Sequence, residues 1–196
     1  MQNQKELSPE ESFVIIQGMI ATARNKFAEN GFHLMLWGVL VITCCLANYF
    51  LLTDGFGNLS GLPWAVMPFI GVPVGIMYEK NRMSAKQVST HADLHVKHIW
   101  LSFLAGLVLV IVFCSASHIS PVPFILIVTG MATFSTGRVL QFTPLMLGGI
   151  VFWAAALLCI KITNQNQLLV HAAATFLGYI VPGMLLWKEH KAGSHV

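Results

Sequence analysis

From residue 33 to residue 187 the chain is a succession of apolar runs with almost no ionisable side chain inside them. A run of about 20 such residues matches the ~30 Å hydrocarbon core of a bilayer. In that setting the run must be helical, because each backbone N–H and C=O has to find its partner within its own segment. Six runs follow this pattern, at about 33–53, 61–79, 99–117, 121–137, 143–162 and 167–187. The fourth is close to the lower limit for a span. Only 10% of the 196 residues are charged and 56% are hydrophobic, with a mean hydropathy of +0.70. A soluble domain carries about 25% charged residues, so this chain could not cover a water-facing surface. The expected fold is an all-α polytopic membrane protein, with six transmembrane helices in three hairpins after an N-terminal amphipathic helix. Residues 1–31 form the amphipathic cytoplasmic part, 32–188 the transmembrane domain and 189–196 a cytoplasmic tail.

The N-terminal 30 residues do not read as a signal peptide, because Lys5, Glu6, Glu10, Glu11, Arg24 and Lys26 interrupt any apolar core. Ser8, Pro9 and Glu11 instead make a helix start with a capping box. Phe13, Ile16, Ile20 and Phe27 recur at helical spacing up to a stop at Asn30-Gly31. Such a helix lies in the membrane interface, docks on the bundle or meets a partner.

Orientation follows from the basic residues. With the N-terminus inside, Lys5, Arg24, Lys26, Lys80, Arg82, Lys86, Lys97, Arg138, Lys188 and Lys191 all fall on the inner side, leaving only Lys161 near an outer end. This is the positive-inside pattern, and it supports an even number of spans with both termini in the cytoplasm. Trp37, Trp64, Trp100 and Trp187 sit near span ends, as an aromatic belt places them.

The first and fifth runs resemble one another. Leu34-Met35-Leu36-Trp37-Gly38 aligns with Leu145-Met146-Leu147-Gly148-Gly149, and Phe69-Ile70-Gly71 aligns with Phe176-Leu177-Gly178. Helices 1–2 and 5–6 therefore read as parallel copies of one hairpin, an arrangement known in transporters, or as apolar helices alike through limited composition. Gly71, Pro73 and Gly75 in the second run, and Gly178, Pro182 and Gly183 in the sixth, permit close helix packing. They also provide for a kink or hinge beside a cavity.

Asn30-Gly31-Phe32 running into Leu36-Trp37-Gly38, then Thr136-Gly137-Arg138 with Pro144-Leu145, then Gly178-Tyr179-Ile180-Val181-Pro182-Gly183, resemble an uncharacterised family of small multi-pass bacterial inner-membrane proteins without established activity. The resemblance implies membrane location and topology and supplies no catalytic residue.

Three sets of residues are candidates for chemistry. His91, His95 and His98 fall on one helical face at i, i+4 and i+7. That spacing suits zinc, or a cytoplasmic pH sensor, or a solvated helix start. Cys44, Cys45, Cys114 and Cys159 lie in the outer half with His171 and His118. They read as soft-metal or haem ligands, or as small apolar packing residues. Thr43, Asn48, Thr129, Thr133, Thr175 and Tyr179 would line a polar path, or bond back to their own helices. Arg138 is a contact for a lipid headgroup or an inner-side anchor.

No Asp, Glu or Arg occupies a mid-span position, which argues against a proton-coupled antiporter. There is no Gly-x-Ser-x-Gly, HExxH, Walker A or dinucleotide motif. Ser102 and Ser135, the nearest intramembrane nucleophiles, have no evident histidine partner. The expectation is a non-enzymatic sensor, regulatory or scaffold subunit without a cofactor. The alternative is a small transporter or channel built from repeated hairpins. The expected partners are the lipid bilayer and a second copy or another membrane protein, with no nucleic acid.

Overall fold

The computed structural model describes residues 14–15, 17–18, 31–82 and 91–193. The expected amphipathic helix therefore lies almost wholly outside the described residues, apart from helical backbone at Val14, Ile15, Gln17 and Gly18. The described chain is helical, without a strand: α1 (Gly31–Thr53), a 3-10 turn (Gly57–Leu59), α2 (Leu62–Arg82), α3 (His91–Ser117), α4 (Val122–Val139) and α5 (Thr143–Cys159). The last helix comes in two pieces, α6 (Asn164–Thr175) and α7 (Val181–Gly193), joined by a π turn at Phe176–Ile180. Five of these stretches are long and apolar enough to cross a membrane. The sixth, α5, is apolar but has 17 residues, or about 25 Å at ~1.5 Å per residue.

The helix ends are set by local chemistry. Gly55 adopts a left-handed φ of 82° after α1, and the Phe56 N–H closes back on the Leu51 carbonyl at 2.8 Å. The same six-to-one closure ends α3, where Ile119 bonds Cys114, and α4, where Phe142 bonds Gly137. There the left-handed residues are His118 (φ 55°) and Gln141 (φ 51°), not glycines. A side chain in that region costs about 1 kcal/mol.

The closest packing is between α4 and α5, followed by α1 against α6. At the α4–α5 crossing the backbones touch. A Cβ on Gly130 would stand 2.9 Å from the Gly149 oxygen, and one on Gly137 would stand 2.7 Å from the Met146 nitrogen. A Cβ on Gly149 would likewise stand 2.8 Å from the Phe134 nitrogen. Gly148, on the neighbouring face of α5, receives the Gly178 carbonyl, 2.6 Å from where its Cβ would be. Lipid gives helices no hydrophobic reason to associate, so contacts this close are what hold them. The buried core gathers Cys45, Leu126, Leu140, Phe142, Leu145, Phe152, Cys159 and Leu186. The flanking helices α2 and α3 expose large apolar side chains such as Phe69, Leu101, Val108 and Leu109, a surface suited to lipid.

A methyl group at Gly148 would meet backbone that cannot rotate away. Gly148→Ala should lower stability in detergent by more than the ~1–3 kcal/mol typical of overpacking. Gly61→Ala, where nothing lies within 4 Å, should change it by less than ~0.5 kcal/mol. Thermal unfolding of the two variants checks this.

Candidate functional site

Among the described residues, the last helix carries the most polar buried face. Gln167, His171, Thr175 and Tyr179 recur every four residues, and all are buried. An ordinary helix drifts about 40° over four residues, so a stripe of this spacing would wind away from the core. The π turn at Phe176–Ile180 takes up that drift, because its wider turn returns Tyr179 to the face of Thr175. The turn stands where Pro182 withholds an N–H from the Gly178 carbonyl four residues earlier. The Val181 N–H bonds the Phe176 carbonyl instead, in the i to i−5 pattern.

The two ends of the stripe are satisfied. Gln167 donates to the carbonyls of Cys159 (3.0 Å) and Ile162 (3.1 Å) and accepts from the Ser120 hydroxyl (2.6 Å). One side chain thus ties the end of α5, the start of α6 and the α3–α4 connection. At the other end Tyr179 hydrogen-bonds the Thr133 side chain, whose own hydroxyl donates to the Thr129 carbonyl at 2.7 Å. Thr43 likewise bonds back to Val39, so two of the four threonines expected along a path serve their own helices, as does Thr136, which bonds Ala132.

The middle of the stripe differs. His171 is 3% exposed and Thr175 1% exposed, and neither His171 Nδ1 nor Thr175 Oγ1 has a hydrogen-bond partner. The Trp64 ring stacks on His171 with centroids 6.0 Å apart. On α1, which runs antiparallel to α6, Gln165 bonds Thr53, and Gly38 meets Tyr179. That register brings Asn48 to the level of His171, and Asn48 Oδ1 also lacks a partner. A buried polar group without a partner costs about 1–3 kcal/mol. Asn48 and His171 stand near one level, and Thr175 lies one helical turn further along the stripe.

Beyond Tyr179 the buried side chains are mainly apolar, and Thr136 among them bonds back to its own helix. Leu34, Leu140, Phe142, Leu145 and Leu186 are all 5% exposed or less. The stripe therefore ends at Tyr179.

The packing residues expected from the sequence have separate roles. Gly71 faces Trp37 and Leu40, while Gly75 faces His33. Gly178 sits under the Phe152 ring, and Gly183 meets Met35 and Gly31. Pro73 lies inside α2 on an exposed face, whereas Pro182 is fully buried at the π turn. The four cysteines are buried and free, and the Cys44 thiol donates to the Pro63 carbonyl at 3.3 Å. Among the described residues no three His, Cys, Asp or Glu side chains stand together as metal ligands. The backbone at His91 is helical, and its side chain lies outside the described residues. His95 and His98 line an open groove between α3 and α4, together with Ser102 and Ser135. These serines thus share a groove with histidines that the sequence did not pair with them. Arg138 is exposed in the last turn of α4.

No family model, curated protein or solved structure matches this chain.

The stripe makes two substitutions opposite in sign. Thr175→Val keeps the shape and removes an unpartnered hydroxyl, so it should raise stability by about 1 kcal/mol in the ligand-free protein. Gln167→Leu removes the partner of the Ile162 carbonyl and of the Ser120 hydroxyl, while the Cys159 carbonyl keeps the Ile162 N–H, and should lower it by about 2 kcal/mol. Thermal unfolding in detergent reads both, and a destabilised Thr175→Val would mean that the hydroxyl is bonded.

Proposed function

We propose that the chain is a multi-pass protein of the bacterial inner membrane, with six spans and both termini in the cytoplasm. It works without enzymatic chemistry, as a sensor or regulatory subunit. The three unpartnered polar atoms around His171 and Thr175 carry this reading. They give a small hydrogen-bonding ligand a place in the outer half of the bundle, beside a π turn and a proline able to pass a change in packing along α7 to the cytoplasmic end. The mainly apolar packing beyond Tyr179 favours a sensor over a conduit.

The hairpin repeat belongs to the same reading. Gly71 meets Trp37 in the first hairpin and Gly178 meets Gly148 in the last, and these are the positions that align between the two copies. On this view the first 30 residues act as an interfacial helix on the cytoplasmic face. The second reading is a small transporter or channel. What favours it is the interrupted last helix, since broken helices line the binding sites of many transporters.

Side-specific cysteine labelling separates the two. The background carries alanine at Cys44, Cys45, Cys114 and Cys159, and single cysteines replace His171, Thr175 or Leu186. With a membrane-impermeant reagent, the sensor reading expects slow labelling at 171 and 175 from outside only, and none at 186 from that side. Labelling of 171 or 175 from both sides, or of 186 from outside, would establish a continuous aqueous path and replace the sensor by a channel.

A further inference from the structure

We propose that the groove between α3 and α4 is a binding site for an anionic phospholipid. The phosphate would sit at the His95–His98 end, with an acyl chain running along the rest of the groove. The groove is divided by chemistry. Its polar groups, His95, His98, Ser102 and Ser135, gather toward one end, and Phe103 and Met131 continue it toward the other. Because α3 and α4 are antiparallel neighbours, the start of α3 lies level with the end of α4. The exposed cations Lys97 and Arg138 therefore stand at the same end as the two imidazoles. The two helices together hold one carboxylate, Asp93, in the first turn of α3.

Imidazole, guanidinium and hydroxyl groups together donate hydrogen bonds to phosphate oxygens, and the Arg contact is charge-assisted. A divalent cation is poorly served, since no three ligating side chains stand together among the described residues, and Lys97 and Arg138 would repel it. Free phosphate would leave the apolar part of the groove unfilled. A lipid fills both parts, and basic clusters between helices at the cytoplasmic surface suit such headgroups. This site is separate from the polar stripe on α6 and does not depend on the sensor reading.

The test uses the full chain, purified in detergent and titrated with phosphatidylglycerol, with phosphatidylcholine of the same acyl chains, and with inorganic phosphate. Retained lipid is counted by native mass spectrometry, and unfolding temperature is followed in parallel. Phosphatidylglycerol should bind about tenfold tighter than phosphatidylcholine, and Arg138→Gln or the pair His95→Ala/His98→Ala should remove most of that preference. Met131→Trp, which fills the apolar part, should weaken lipid retention while leaving any phosphate effect unchanged. Unfolding temperature without lipid identifies a variant that has simply lost its fold, and Ser135→Ala, a smaller change in the same groove, then takes its place. Equal binding of the two lipids would overturn the proposal, as would phosphatidylglycerol binding unaffected by the Arg138 and histidine changes. A phosphate effect equal to that of phosphatidylglycerol, and indifferent to Met131→Trp, would reduce the site to an anion site and equally overturn it.

Discussion

The contact on which the rest of the bundle depends is the backbone crossing of α4 and α5. Gly130, Gly137 and Gly149 remove the side chains that would hold these helices apart. On its next face α5 accepts the Gly178 carbonyl at Gly148. The shortest of the six apolar stretches described is therefore the one most closely surrounded. Its two glycine faces fix where α4 and the π turn stand, and α1 then packs on α6 and α7, with Gly31 against Gly183. In lipid, where apolar side chains gain nothing by leaving their surroundings, this backbone proximity does the work that a hydrophobic core does in water.

That tightness gives the polar stripe its meaning. Gln167 and Tyr179 show that the bundle can satisfy buried polar groups where it needs to: each has named partners on other elements. His171 and Thr175 lie between them on the same face without partners for Nδ1 and Oγ1. Groups left in that state lower stability, and proteins tend to keep such costs where function requires them. The π turn fits the same view, since it holds Tyr179 in line with the stripe and places Pro182 and Gly183 where the helix resumes.

Much of this was legible in the residues. The apolar runs place the helices within a few positions, because a bilayer permits little else. Gly178 and Pro182 announce an irregular sixth helix. Asn48, Thr175, Tyr179 and His171 are conspicuous as polar groups in apolar runs. Which threonines bond back to their own helix was not legible, because that depends on rotamers and neighbours. Helix ends at His118 and Gln141 were hidden as well, since neither residue is a usual left-handed cap. Gly130 and Gly149 read as ordinary small residues, because their partnership joins two helices and leaves no periodic mark on either. The company of Ser102 and Ser135 with His95 and His98 was missed for a similar reason: only the antiparallel pairing of α3 and α4 brings them to one groove.

The arrangement proposed here stands on α5 crossing the membrane in spite of its 17 residues. The side on which the chain ends reports this directly, because six spans return it to the cytoplasm and five leave it outside. The decisive measurement compares two fusions to the C-terminus of the full chain: green fluorescent protein, which matures in the bacterial cytoplasm, and alkaline phosphatase, which is active only beyond the inner membrane. The account predicts a fluorescent protein fusion and an inactive phosphatase fusion. An active phosphatase with a dark fluorescent protein would mean an odd number of spans, and would contradict it.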